Sequence, residues 1–224
     1  LEQLSTITEN VPGHCSLCLK ADGVEKVCAG FDFTWLPANA WVGQNEHPDL
    51  LAALVLPNDP VVDRILSAGA DLLQKHGLNP SWVGYKNERN AIVNQIHAIW
   101  SAVEGMKLAY ALPPRSWADH GAGQKVRTPS QVAEGGCATC LDTTVLFAAV
   151  FAQAGYNPII ILCPGHAFVG VWLKDDVLAH PMEAHPATLR NLLDLGDILL
   201  LETTAATRTG RGSALPGFTG AQES

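Results

Sequence analysis

The run TCLDTTVLFAAVFAQA, from Thr139 to Ala154, constrains the fold more than any other part of the chain. Thr139 and Asp142 stand three apart just ahead of an apolar stretch, close to a capping box, and Gly155 supplies a stop, so a helix is predicted over about Cys140 to Ala154. Leu141, Val145, Leu146, Phe147, Ala148, Ala149, Val150 and Phe151 leave this helix almost no polar face, so other elements must cover it on all sides. Ile159 to Leu162 and Ala167 to Leu173 read as strands of the covering sheet. A helix from Ala187 to Leu195 and a strand from Ile198 to Leu201 complete the pattern. A buried helix under strands that follow it in sequence is an α+β arrangement.

Upstream, Asp22-Gly23 separates the β-friendly runs SLCLKA and VEKVCA and suits a type I′ turn, so an N-terminal β-hairpin is expected between Cys15 and Phe33. A Pro- and Asn-rich connection follows, with one short helix around Asp49 to Val55. Asp59-Pro60 opens a helix as N-cap and first residue. Val62, Ile65, Leu66, Leu72 and Leu73 recur at helical spacing until Gly77, with Gly69 on the same face. A second amphipathic helix is predicted over Glu88 to Met106, with Ile92, Ile96, Ile99, Trp100 and Val103 on one face. Pro113 to Ser130 reads as a loop. The expected organisation is an arm and connection over 1–58, a core over 59–206, and a linker-like tail or strap over 207–224, rich in Gly, Ser and Thr.

Composition narrows the setting. The chain has 224 residues and a formal charge of −8, which speaks against an electrostatic grip on nucleic acid. Hydrophobic residues make up 47% and charged residues only 16%, so extensive burial is expected and disorder is excluded. No apolar run approaches the roughly 20 residues needed to cross a bilayer. The chain begins at Leu1 with neither a basic nor an apolar leader pattern, and is expected to be a segment of a longer protein. Six Cys are too sparse for a disulfide scaffold in a chain of this length, and two gaps read Cys-x-x-Cys, so a reducing, cytoplasmic setting is expected.

One constellation could do chemistry. Cys140 lies in the first turn of the buried helix, where the dipole favours thiolate. A nearby imidazolium would favour it further, and together such groups lower a thiol pKa from about 8.5 to roughly 3.5–7.5. His166 follows Pro164-Gly165 at the mouth of a strand and can supply the imidazole. Glu202 ends the apolar strand ILLL, a costly place for a carboxylate unless a donor awaits it, and is the candidate for orienting the imidazole. Asp142 is the rival acid, better explained as a helix-start residue. Cys137 reads as a loop thiol, with redox pairing to Cys140 as a minor option.

Other groups carry blander readings. His14, Cys15, Cys18 and Cys28 invite a zinc site, but Cys15 and Cys18 point to opposite faces of a strand, so no metal site is expected. HPMEAHP, with His180, Glu183 and His185, reads as a solvated connection. His97, Trp100 and Trp172 read as packing residues.

Taken in order, NAWVGQ, LPNDPVV, GQKVRTPSQV, TCLDTTVLFAAVFAQAGYNP, GHAFVGVWL and LLLETT resemble the transglutaminase-like superfamily of papain-type cysteine enzymes. More narrowly they resemble the transglutaminase-like domain found upstream of helicase-like modules in large bacterial proteins. The resemblance runs from Asn39 to Thr204. It implies a papain-like core of a helix packed on an antiparallel sheet, with Cys140 as nucleophile, His166 as base and Glu202 in a place more often held by Asp. It also implies Gln124 as the side-chain donor of an oxyanion hole beside the Cys140 N–H. The activity implied is thiol-dependent hydrolysis of peptide or isopeptide amides, with no cofactor. Cross-linking transamidation and a catalytically silent peptide-binding module are the alternatives. The implied partners are a peptide or protein substrate and covalently linked helicase-like domains. The tail is a candidate for self-processing.

Overall fold

A computed structural model of the chain describes residues 6–43, 47–112 and 124–208. Most of the Pro113 to Ser130 loop, up to residue 123, lies outside the described residues, as does the expected tail from 209 onward.

The hairpin forms as its turn residues dictate. Strand β1 (Val11–Ala21) pairs antiparallel with β2 (Val24–Trp35), from Val11 opposite Trp35 to Ala21 opposite Val24. Asp22 and Gly23 have φ of 52° and 80°, the two positive values that a type I′ turn requires. The register shifts once, with Leu17 opposite Ala29 and Cys18 opposite Val27, which leaves Cys28 as the extra residue of a bulge. On one face the Phe33 ring lies over Gly13, where a Cβ would stand 2.6 Å from it, and Phe33 meets Trp35 edge-on at 4.9 Å. Leu17, Leu19, Val24, Phe31 and Trp35 remain exposed, so the arm presents apolar surface along its length.

The core is built around the helix singled out by its composition. Helix α1 spans Pro60–Lys75, α2 Arg89–Gly105, α3 Pro129–Gly135, α4 Cys140–Gln153 and α5 Pro186–Asp194. A three-stranded antiparallel sheet runs in the order β7 (Pro158–Cys163), β8 (His166–Trp172), β9 (Ile198–Leu201). Helix α4 packs on β8, whose alternate residues Ala167, Val169 and Val171 are fully buried. Helices α1 and α2 close the other side, with Trp100 and Phe147 rings 5.5 Å apart and Phe147 meeting Phe151 at 6.0 Å. Truncating Phe147 to Ala in so dense a setting would cost about 3–5 kcal/mol. The chain is α+β, as the pattern of elements predicts.

Glycines mark two close approaches. Gly69, inside α1, faces the Trp82 ring, where a Cβ would sit 3.0 Å away. Gly155 ends α4 with φ of 86°, and its carbonyl lies 2.5 Å from where a Cβ on Gly84 would be, so only glycine fits at position 84.

Two short ladders and one shared cap tie distant segments together around the core helices. Strand β3 (Ala40–Trp41) pairs antiparallel with β5 (Gln124–Lys125), and β4 (Ala109–Tyr110) pairs in parallel with β6 (Cys137–Ala138). Asp59 caps α1 through the Val61 N–H at 2.9 Å, and the same carboxylate accepts from the Ser130 hydroxyl at 2.6 Å, joining the starts of α1 and α3. Trp41 and Leu51, the latter in a 3-10 turn over Pro48–Leu54, are buried with Val126, Leu141, Val145 and Ala167. Among the described residues no helix is long and apolar enough to cross a membrane.

Candidate active site

Thr139 is the N-cap of α4 and makes the reciprocal box expected of it. Its hydroxyl accepts from the Asp142 N–H at 3.2 Å, and its own N–H donates to Asp142 Oδ2 at 2.9 Å. Asp142 is wholly buried and also receives Arg127 twice, from the backbone N–H and from Nη1, each at 2.7 Å. It is the anchor that fastens the 124–128 strand and turn onto the helix start, which explains both the carboxylate and Arg127 without giving either a place beside the imidazole.

Cys140 is the first residue of α4 and is 1% exposed. Burial pushes its thiol up from the ordinary value, and the Asp142 charge acts in the same direction. The N–H groups of Ala167, Leu141 and Cys140 itself favour thiolate but are outweighed. The direction is opposite to the lowered pKa expected from the helix start, because burial is the largest influence on the thiol. The Ala167 N–H that faces the sulfur belongs to the residue after His166, so the start of α4 abuts the start of β8.

His166 opens β8 opposite Cys163, after a turn in which Gly165 has φ of 74°. Alternation puts His166 and Phe168 on the face away from the helix-packing residues, with their rings stacked at 6.1 Å. Glu202 follows β9, and its Oε2 lies 2.6 Å from His166 Nε2. Its other oxygen accepts from the Thr204 N–H at 3.1 Å and from the Thr204 hydroxyl at 2.7 Å. Burial raises the Glu202 pKa, but the Thr204 hydroxyl, His166 and the Thr204 N–H together carry it below the usual carboxylate value. Among the described residues, His166 hydrogen-bonds to Glu202 and not to Cys140.

Gln124 is 3% exposed, and neither its Oε1 nor its Nε2 has a partner among the described residues. A buried amide left unpaired costs free energy, so this one is a standing candidate for contact with a ligand. It shares a strand face with Val126, two residues on, which packs against Leu141 and Ala167. Cys137 is half-buried in β6, and Cys163, across from His166, is half-buried too. Cys15, Cys18 and Cys28 are exposed thiols of the hairpin. Among the described residues no cluster of His, Cys, Asp or Glu is arranged to hold a metal ion.

One residue near the sulfur carries no motif. Tyr110 stands opposite Ala138 in the β4–β6 ladder, and its phenol faces Cys140. Burial raises its pKa, and the Cys140 sulfur and Glu202 charge add to the rise. The parallel ladder that delivers it joins two-residue strands distant in sequence, which leaves no local signal.

No family model matches the chain, and no curated protein matches it. Among solved structures it is similar to one named a "putative protease", from Parabacteroides distasonis ATCC 8503, at 13% identity and a TM-score of 0.35. The match covers 73% of this chain and 36% of that one, so the chain spans about a third of that protein's length.

Proposed function

We propose that this chain is a transglutaminase-like thiol hydrolase acting on peptide or isopeptide amides, with Cys140 as nucleophile, His166 as base and Glu202 as the group that orients the imidazole. The observation that carries this reading is the 2.6 Å His166–Glu202 pair beside the strand residue whose N–H faces the Cys140 sulfur. In this reading the thiolate forms at the moment of attack. His166 moves onto the sulfur and takes its proton as the S–C bond forms at the substrate carbonyl, a tightening common when a substrate binds. The carbonyl oxygen becomes an oxyanion, for which the Cys140 N–H and the unpartnered Gln124 amide are the donors.

Collapse of that intermediate breaks the C–N bond, and protonated His166 gives its proton to the leaving amine, leaving a thioester on Cys140. His166 then takes a proton from water, hydroxide adds to the thioester, and the acid leaves as the sulfur regains a proton. A primary amine in place of water would give transamidation. No step requires a cofactor.

The test is incubation with a defined peptide mixture in 18O-labelled water, read by mass spectrometry. Hydrolysis inserts one 18O at each new C-terminus and is lost in Cys140→Ala and His166→Ala. Incorporation of an added primary amine without cleavage favours cross-linking. Intact peptides with wild-type protein, together with retained peptide binding, favour the silent module.

A further inference from the structure

Glu202 caps a 3-10 turn over Thr203–Ala206, in which Thr203 and Thr204 point to different sides. Thr204 points outward and holds the Glu202 carboxylate. Thr203 points inward and is wholly buried against the first turn of α4, where its Oγ1 lies 2.9 Å from that of Thr143 and 3.3 Å from that of Thr144. Thr144 Oγ1 donates to the Cys140 carbonyl at 2.7 Å. Thr143 Oγ1 donates to the carbonyls of Cys140 at 3.0 Å and Thr139 at 3.2 Å. A hydroxyl has one proton to give. Thr143 and Thr144 each have a backbone carbonyl in reach, and either oxygen of each Thr203 contact can be the donor.

We propose that Thr203 is a positioning residue: through the hydroxyls of Thr143 and Thr144 it fastens the element carrying Glu202 to the helical turn carrying Cys140. The hydroxyls span the interior side of that junction, while Glu202 and His166 span its outer side. With Thr203 inward and Thr204 outward, the carboxylate is fixed in both backbone and rotamer relative to the thiol. Removing the Thr203 hydroxyl leaves no donor stranded, because Thr143 and Thr144 keep their carbonyl acceptors. A Thr203→Val chain therefore keeps shape and packing while losing the tie. This inference rests on the catalytic reading above, since positioning matters only if His166 assists the thiol.

The test is the iodoacetamide alkylation rate of Cys140 against pH, mapped by peptide mass spectrometry in wild type, His166→Ala, Thr203→Val and Thr203→Ser. Direct ionisation of the thiol gives a limb at high pH, and assistance by His166 gives a limb at lower pH, so each protein carries its own internal control. Thr203→Val is expected to lower the His166-dependent limb by between about tenfold and about a hundredfold. The high-pH limb should stay in place, and Thr203→Ser should restore the lower one. If valine prevents folding, Thr203→Ala serves as the smaller hydroxyl-free variant. A Thr203→Val profile with both limbs at wild-type height overturns the inference, whatever its melting temperature. A wild-type profile without any limb that His166→Ala removes overturns the catalytic reading and this inference together.

Discussion

His166 Nε2 and Glu202 Oε2 are 2.6 Å apart, and the second oxygen of that carboxylate is held by both the N–H and the hydroxyl of Thr204. An acid gripped on both oxygens presents a fixed acceptor to the imidazole, and the opposite ring nitrogen is left to face other groups. Loss of the base altogether, in His166→Ala, is expected to lower peptide hydrolysis by roughly 10²–10⁴-fold. Glu202→Gln keeps the shape but loses the charge and should cost less, with the deficit in kcat rather than KM. Equal kinetics in wild type and Glu202→Gln would remove Glu202 from the mechanism.

The depressed Glu202 pKa also has a sign in stability. Its contribution is present above the unfolded value of about 4.3 and is lost as pH falls through the lower folded value. Urea unfolding between pH 3 and 7 should show wild type more stable than Glu202→Gln at the upper end, the two converging at the lower. Partial exposure of the carboxylate keeps the gap small. A gap independent of pH contradicts the assignment.

Asp142 is wholly buried and accepts from Arg127 twice and from Thr139 once. Asp142→Ala strands those donors at the start of α4 and is expected to destabilise the chain by about 3–5 kcal/mol in urea unfolding. Arg127→Ala should cost less, because its side chain is partly exposed and its backbone N–H is retained. A loss below about 1 kcal/mol for Asp142→Ala would mean that the 124–128 segment is held by other contacts.

The hairpin is expected to be separable from the core at Leu36. A chain starting there keeps Trp41 and Leu51, which are buried with Leu141, Val145 and Ala167. Its melting temperature is expected to stay within about 4 °C of the longer chain's. A chain starting at Asp59 loses both side chains from the core. Single truncations of such residues cost about 2–5 kcal/mol each, so a large drop is expected. Equal stability of the two shortened chains would instead put the core boundary at Asp59.

How much of this was legible in sequence depended on whether the deciding contact was local. Helix α4 was, because its cap, its apolar circumference and Gly155 lie within one short run. The hairpin turn was too, since Asp22-Gly23 reports its own backbone angles. The loop expected over Pro113 to Ser130 takes in the first two residues of helix α3, where Thr128 and Gln131 form a capping box around Pro129. Seven residues give too little periodicity to weigh against the Gly- and Pro-rich surroundings. The ladders that bring Gln124 to Trp41 and Tyr110 to Ala138 are two residues long and join distant segments, so nothing near either residue announces them. The direction of the Cys140 pKa is hidden from the sequence for a different reason. Its helix-terminus position is written in the sequence, whereas the burial that outweighs it comes from packing of β8 and neighbouring segments around α4.

The central claim is that His166 acts on Cys140, and the alkylation profile of Cys140 in wild type and His166→Ala tests it most directly. Reactivity well below the ordinary thiol range that is lost with the imidazole is the signature of His166 acting on the thiol. The account predicts a low-pH limb in wild type that His166→Ala removes, leaving only reaction above the free-thiol pKa. Identical profiles in the two proteins, each rising only at high pH, would contradict it.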